Sequence, residues 1–235
     1  MSKTNETGVG EYPEKDWDPQ FRGLDKPTRL PLIEFDRLPK VPDPKADIRT
    51  GLKELGELEQ KRTSTQRADI LRQAEPTLPA IIPVLEALKI SYDGNGDADA
   101  LIERIRLNVL YPVFNWKVKF GRARPRMKAR EFGVTLNPML EPGHAHHPGH
   151  GSYPSGHAAL AYCWAELLVT LLKANDKARD AAQEAACWVA HNREIAGVHF
   201  PSDSLAGREL GTNIARSIVD TKRLTPREIE VLCNR

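Results

Sequence analysis

The sequence holds no apolar run long enough to span a bilayer. Its longest nearly apolar stretch, Ala158 to Leu172, carries Glu166 and is too short to cross one comfortably, so a transmembrane enzyme is excluded. Cysteine is scarce. Cys163, Cys187 and Cys233 cannot all pair and lie far apart, which argues against a disulfide framework or a zinc knuckle. An excess of one charge is missing too: 34 basic and 32 acidic side chains leave a net charge of +2, so no global field marks a nucleic-acid binder. The opening stretch, MSKTNETGVGEYPEKDWDPQ, has no apolar core behind a basic patch; it reads as no secretory signal and points to a cytoplasmic protein. What is left is ordinary. With 235 residues, 40% of them hydrophobic and 28% charged, the chain is expected to form one globular domain or at most two, with room for a sizeable core.

Strand signals are also absent, since no run alternates with period two. Residues 1–45 hold 7 of the 18 prolines, a density that blocks helix and leaves extended, turn-rich chain. Trp17, Phe21, Leu30, Leu32, Ile33 and Phe35, scattered through it, predict an arm lying across the domain formed by residues 46–235. From Ala46 onward the helical period dominates, beginning with Ile48, Leu52, Leu55 and Leu58. Further helices are expected near 64–72, 78–90 and 98–120, the last kinked or divided at Pro112. Residues 121–154, rich in Gly and Pro, read as one long loop, and a structureless connection of that length is usually functional. Helices near 155–174, 177–195 and 203–220 and a short terminal one after Pro226 complete the pattern. The fold class is all-α: a single bundle of about seven helices with a proline-rich N-terminal arm.

Three blocks place anion-binding residues at helix edges. The first runs from Lys117 to Arg124-Pro125, the second is Pro154-Ser155-Gly156-His157, and the third runs from Arg193 through His199 to Asp203. A proline followed by Ser-Gly at a helix start leaves unpaired N–H groups with the positive end of the helix dipole behind them. That is an anion site, in which Gly156 permits close approach, the Ser155 hydroxyl adds a donor and His157 can supply a proton. Asp203, four residues after His199, can hold one imidazole nitrogen and leave the other a free lone pair, the form that attacks phosphorus. Lys117, Arg124 and Arg193 would neutralise the oxygens of a phosphoryl group. Every role in metal-free phosphoryl transfer is filled.

In these blocks the chain resembles the type 2 phosphatidic acid phosphatase superfamily, which includes soluble bacterial class A acid phosphatases and vanadium-dependent haloperoxidases. The family signature is Lys, six residues, Arg-Pro; then Pro-Ser-Gly-His; then Ser-Arg, five residues, His, three residues, Asp. All three spacings match here over about residues 46–220, with one departure: Asn192 stands where the signature has Ser. The resemblance implies that His199 is the nucleophile forming a phosphohistidine and that His157 protonates the leaving alcohol. It further implies that Asp203 orients His199, while Lys117, Arg124, Ser155, Gly156 and Arg193 hold the oxygens. In haloperoxidase relatives the same pocket holds vanadate, bonded to the equivalent of His199. His150 sits seven residues before His157, where bromide-oxidising relatives carry a histidine.

The expected activity is a metal-independent phosphatase acting on small phosphate monoesters, without a cofactor. The alternative is a haloperoxidase using vanadate and hydrogen peroxide in the same pocket; such relatives generally carry a second bundle. A catalytically idle anion-binding module is a third possibility. Lys117 to Arg130 holds seven basic residues and no acidic one, but Phe120 is its only aromatic, so a pocket rim or solvated face is preferred over nucleic-acid contact. His144, His146, His147 and His150 crowd one loop; with no Asp or Cys interleaved, a flap near the pocket mouth is preferred over a metal site. Asp93, Asn95, Asp97 and Asp99 imitate a calcium loop, but Ala98 and Arg104 break the match. The apolar arm makes a homo-oligomer conceivable.

Overall fold

The computed structural model describes residues 5–26, 31–33, 39–74, 78–92, 94, 96–140 and 148–233. His144, His146 and His147, the Asp93 and Asn95 of the calcium-like loop, and Leu30 and Phe35 of the arm lie outside the described residues. Among the described residues the chain is all-helical, with nine α-helices. They are α1 (Ile48–Gln60), α2 (Ser64–Arg72), α3 (Leu78–Ala87), α4 (Gly96–Phe120), α5 (Pro125–Ala129), α6 (Gly156–Leu171), α7 (Asp176–Ile195), α8 (Pro201–Thr221) and α9 (Pro226–Cys233). None of them is long and apolar enough to cross a membrane.

The helix at the centre is α6. Every residue from Ala158 to Val169 is buried, and α3, α4, α7, α8 and α9 all pack on it. A helix apolar on all sides has to sit inside, and each buried leucine there contributes about 2 kcal/mol of transfer free energy. The closest approach is to α8. Gly207 and Gly211 lie one turn apart on α8, and a Cβ added to either would fall 2.5 Å from the Ser155 carbonyl oxygen or 2.1 Å from that of Ala159. Glycine at both positions therefore lets the two backbones touch. One turn before Gly207 on the same face stands Asp203, whose carbonyl accepts the Ser155 amide at 2.9 Å. The same close packing carries a functional residue of α8 to the start of α6.

Two expectations need correction. Residues 121–154 are not one unbroken loop, because α5 occupies Pro125–Ala129. Pro125 stands at its first position, where a fixed φ favours the helix and the missing N–H costs nothing. Nor does Pro112 divide α4, which runs as one helix through it. An internal proline costs about 3 kcal/mol, and here Val109, Val113 and Phe114 around it are buried in the core and outweigh that penalty.

The described part of the N-terminal segment lies along the domain through backbone bonds. The Gly8 carbonyl accepts from Ala123, Gly10 and Tyr12 donate to Phe120 and Gly121, and Asp18 donates to Gly149. Trp17, 1% exposed, anchors it by packing edge-on against Phe114 of α4, and its indole donates within the segment to the Tyr12 carbonyl at 2.9 Å.

Candidate active site

The three sequence blocks converge on one cavity of about 150 Å3. Lys117, Arg124, His150, Gly156, His157, Arg193 and His199 all line it. They arrive from α4, the 121–124 segment, the 148–151 loop, the start of α6, the end of α7 and the α7–α8 turn. Among the described residues no carboxylate lines it; Arg106 also reaches it, already paired with Glu103 at 2.6 Å.

His199 is 3% exposed and its Nδ1 lies 3.1 Å from Asp203 Oδ2. The carboxylate only accepts, so Nδ1 carries the proton and Nε2 keeps its lone pair. That Nε2 lies 3.4 Å from a terminal nitrogen of Arg124. Burial, aided by the Arg124 charge, pushes the imidazole down to about 3, so it is neutral at ordinary pH. Asp203 is itself held in place. Its Oδ2 also accepts the Phe200 amide at 2.9 Å, and its Oδ1 accepts from Arg122 at 2.7 Å. Burial alone would raise its pKa, but the Arg122 cation and the His199 hydrogen bond outweigh that and hold it below the usual carboxylate range.

The cations differ in how much of their hydrogen-bonding capacity is used. Arg124 donates to the carbonyls of His150 (2.8 Å), Val198 (2.6 Å) and Gly151 (3.3 Å), so it ties the 148–151 loop to the α7–α8 turn. Lys117 donates to the Gly151 and Ser152 carbonyls at 2.7 and 3.1 Å, which leaves the third of its three protons. Arg193 is the least satisfied. It is fully buried, one nitrogen donates to the Ile70 carbonyl at 2.9 Å, and its Nε and Nη1 have no partner among the described residues. Burial lowers Arg193 to about 9 and Arg124 to about 10, and drives Lys117 well below its ordinary value with Arg124 assisting. Buried cations without a counter-carboxylate are costly, and a bound oxyanion removes that cost.

His157 points its Nε2 at the Gln73 carbonyl, 2.9 Å away, so that nitrogen holds a proton and Nδ1 is the site at which a second proton is gained or lost. Burial, then the charges of Arg193 and His199, lower its pKa well below 6.5. His150 stands with its ring 4.7 Å from Phe21 and 5.1 Å from Phe114, and its Nδ1 is 3.3 Å from Arg124. Burial and the neighbouring Lys117 and Arg124 lower it as well.

Ser155 behaves differently from the expected oxyanion donor. Its oxygen caps α6 by accepting the Ala158 amide at 3.4 Å, and it is not among the residues lining the cavity. Only its hydroxyl proton is left for an anion. Arg122, a member of the basic run expected to form a pocket rim or solvated face, has another place. Arg122 is fully buried and bonds Asp203, Asp47, Ser202 and the Thr7 carbonyl. Nothing local in the sequence separates it from Lys119 and Arg130, the exposed basic residues of the same run. Asn192, the departure from the signature, donates to the Gln73 side chain at 2.9 Å and so supports the residue whose carbonyl holds His157.

Fold and cavity together define a class: among the described residues, an all-helical bundle around a cavity lined by three histidines and by basic side chains. The chain belongs to the PAP2 superfamily, whose family model matches residues 104–223, 120 of the 235. No curated protein matches it. Among solved structures it is similar in fold to the first bacterial vanadium-dependent iodoperoxidase, at 14% identity and a TM-score of 0.57. The similarity covers 83% of this chain and 54% of that one, so the chain spans about half the length of this relative.

Proposed function

We propose that the chain is a metal-independent phosphatase that hydrolyses small phosphate monoesters through a phosphohistidine. The observation that carries the reading is Arg193, fully buried in the cavity wall with two donor nitrogens lacking a partner among the described residues. A phosphoryl group meets both, together with the remaining proton of Lys117 and the first amides of α6 at Gly156 and His157. The Nε2 lone pair of His199 attacks phosphorus while the bond to the ester oxygen breaks. The electron pair leaves with that oxygen, which takes the proton from Nδ1 of His157. Water then attacks the phosphohistidine, His157 accepts its proton, and phosphate departs with His199 neutral again. Asp203 keeps the His199 proton on Nδ1 throughout. Because His157 is neutral in the empty cavity, the negative charge of the substrate is what raises its affinity for the catalytic proton.

The second reading is a vanadate-dependent haloperoxidase, favoured by His150 standing beside Arg124 in the cavity. The unpartnered Arg193 nitrogens, Lys117 and Arg124 suit vanadate as well as phosphate, and His199 Nε2 is the ligand atom available to it. Bound vanadate would supply activation of peroxide toward halide. One preparation tests both. Hydrolysis of p-nitrophenyl phosphate that is lost in His199→Ala and inhibited competitively by vanadate supports the phosphatase. Bromination or iodination of a dye after vanadate loading, without hydrolysis, replaces it with the second reading.

A further inference from the structure

The cavity has two unlike ends. Lys117, Arg124 and Arg193 are buried in its wall, whereas its outer side carries the partly exposed apolar residues Leu110, Phe21 and Leu24. Those last two come from the N-terminal segment, outside the residues matched by the family model. They are held there by defined contacts. The Asn115 side chain of α4 donates to the Asp25 carbonyl at 3.0 Å, Asp18 is bonded to the Gly149 backbone, and the Phe21 ring packs edge-on against His150. The 148–151 loop they touch is the one whose carbonyls accept from Lys117 and Arg124.

We infer that the segment 17–25 is the selectivity element of this site: Phe21 and Leu24 form the wall on which the alcohol half of the substrate lies. This rests on the phosphomonoester reading and deepens it. An apolar wall directly outside a cluster of cations selects a monoester whose alcohol is an uncharged aryl or short alkyl group. A cationic alcohol is disfavoured by Lys117, Arg124 and Arg193, and no acidic side chain lines the cavity among the described residues. A polar alcohol such as glycerol gains nothing from the two side chains.

Binding of non-hydrolysable phosphonates by titration calorimetry separates this inference from the activity. Phenylphosphonate is expected to bind the wild-type chain at least ~10-fold more tightly than methylphosphonate, from the extra apolar area covered. Leu24→Ala, at a position 42% exposed and therefore safe for folding, is expected to lower that ratio several-fold, and Phe21→Ala to lower it further, with Phe21→Leu restoring part of it. Equal affinities for the two ligands in the wild-type chain, or a ratio unchanged in both alanine variants, overturns the inference. Detachment of the segment in Phe21→Ala would be visible as new protease cleavage within residues 5–26, and Leu24→Ala then decides alone. A wild-type chain that binds phenylphosphonate selectively yet hydrolyses no monoester leaves the wall standing and removes the phosphatase.

Discussion

Replacing Asp203 by Asn tests the core of the mechanism, because the carboxylate makes three contacts that one amide cannot reproduce. Oδ2 accepts from His199 Nδ1 and from the Phe200 amide, and Oδ1 accepts from Arg122. If the amide oxygen faces Arg122, the new NH2 group faces the Phe200 N–H, and His199 must move its proton to Nε2 in order to accept. The attacking lone pair is then gone. If the amide oxygen faces His199, the NH2 group opposes the Arg122 guanidinium, and a buried cation loses one of its two anions. Breaking a buried pair in this way costs about 3–5 kcal/mol. Arg122 keeps Asp47, Ser202 and the Thr7 carbonyl, which places the loss at the lower end, about 3 kcal/mol. At about 2–4 °C per kcal/mol for a domain of this size, the melting temperature is expected to fall by about 6–12 °C. A wrong histidine tautomer lowers kcat by roughly 10⁴-fold. Affinity for inorganic phosphate is expected to persist, since Lys117, Arg124 and Arg193 are untouched. Thermal unfolding, p-nitrophenyl phosphate kinetics and phosphate titration read the three quantities separately. A variant that melts lower but retains kcat within ~10-fold of wild type would refute the tautomer argument and leave Asp203 a structural residue.

His157→Ala is expected to slow hydrolysis by at least ~100-fold for an alkyl phosphate and much less for p-nitrophenyl phosphate, whose leaving group needs no proton; equal losses on both substrates would rule out the acid role. Phosphate binding near pH 7 is expected to take up a proton, because a dianion raises the depressed His157; calorimetry in buffers of different ionisation enthalpy measures it, and zero uptake contradicts the charge coupling. Folding stability without ligand is expected to decline as pH falls from about 6.5 toward 3, since the unfolded chain binds protons that buried His199 refuses until about 3. His150 and His157 act in the same direction, and His199→Asn should flatten part of the slope in a pH series of melting curves. Gly211→Ala places a methyl group 2.1 Å from the Ala159 carbonyl oxygen, so α8 must move off α6; a loss of about 2 kcal/mol or more in denaturant unfolding is expected, and a neutral result would contradict the close packing.

The all-helical class, every helix but α5 and the three anion-binding blocks follow from local chemistry, and local chemistry is written in sequence. A repeat of apolar residues every three or four positions determines a helix whatever surrounds it. Pro-Ser-Gly at residues 154–156 marks a helix start for the same reason. Tertiary structure alone decided which basic residues meet the cavity. Lys117 and Lys119 are near neighbours in sequence, yet Lys117 is buried beside Gly151 while Lys119 lies over the Trp116 ring. Arg122 and Arg124, two residues apart, divide between the Asp203 carboxylate and the cavity. Phe21 and Leu24 became part of the pocket wall because the docking of residues 8–18 joins segments more than a hundred residues apart, and Asp203 reaches the start of α6 because Gly207 and Gly211 let α8 touch a helix about fifty residues earlier. Helical periodicity is a property of neighbours along the chain; a counter-charge or a cavity wall is a property of neighbours in space.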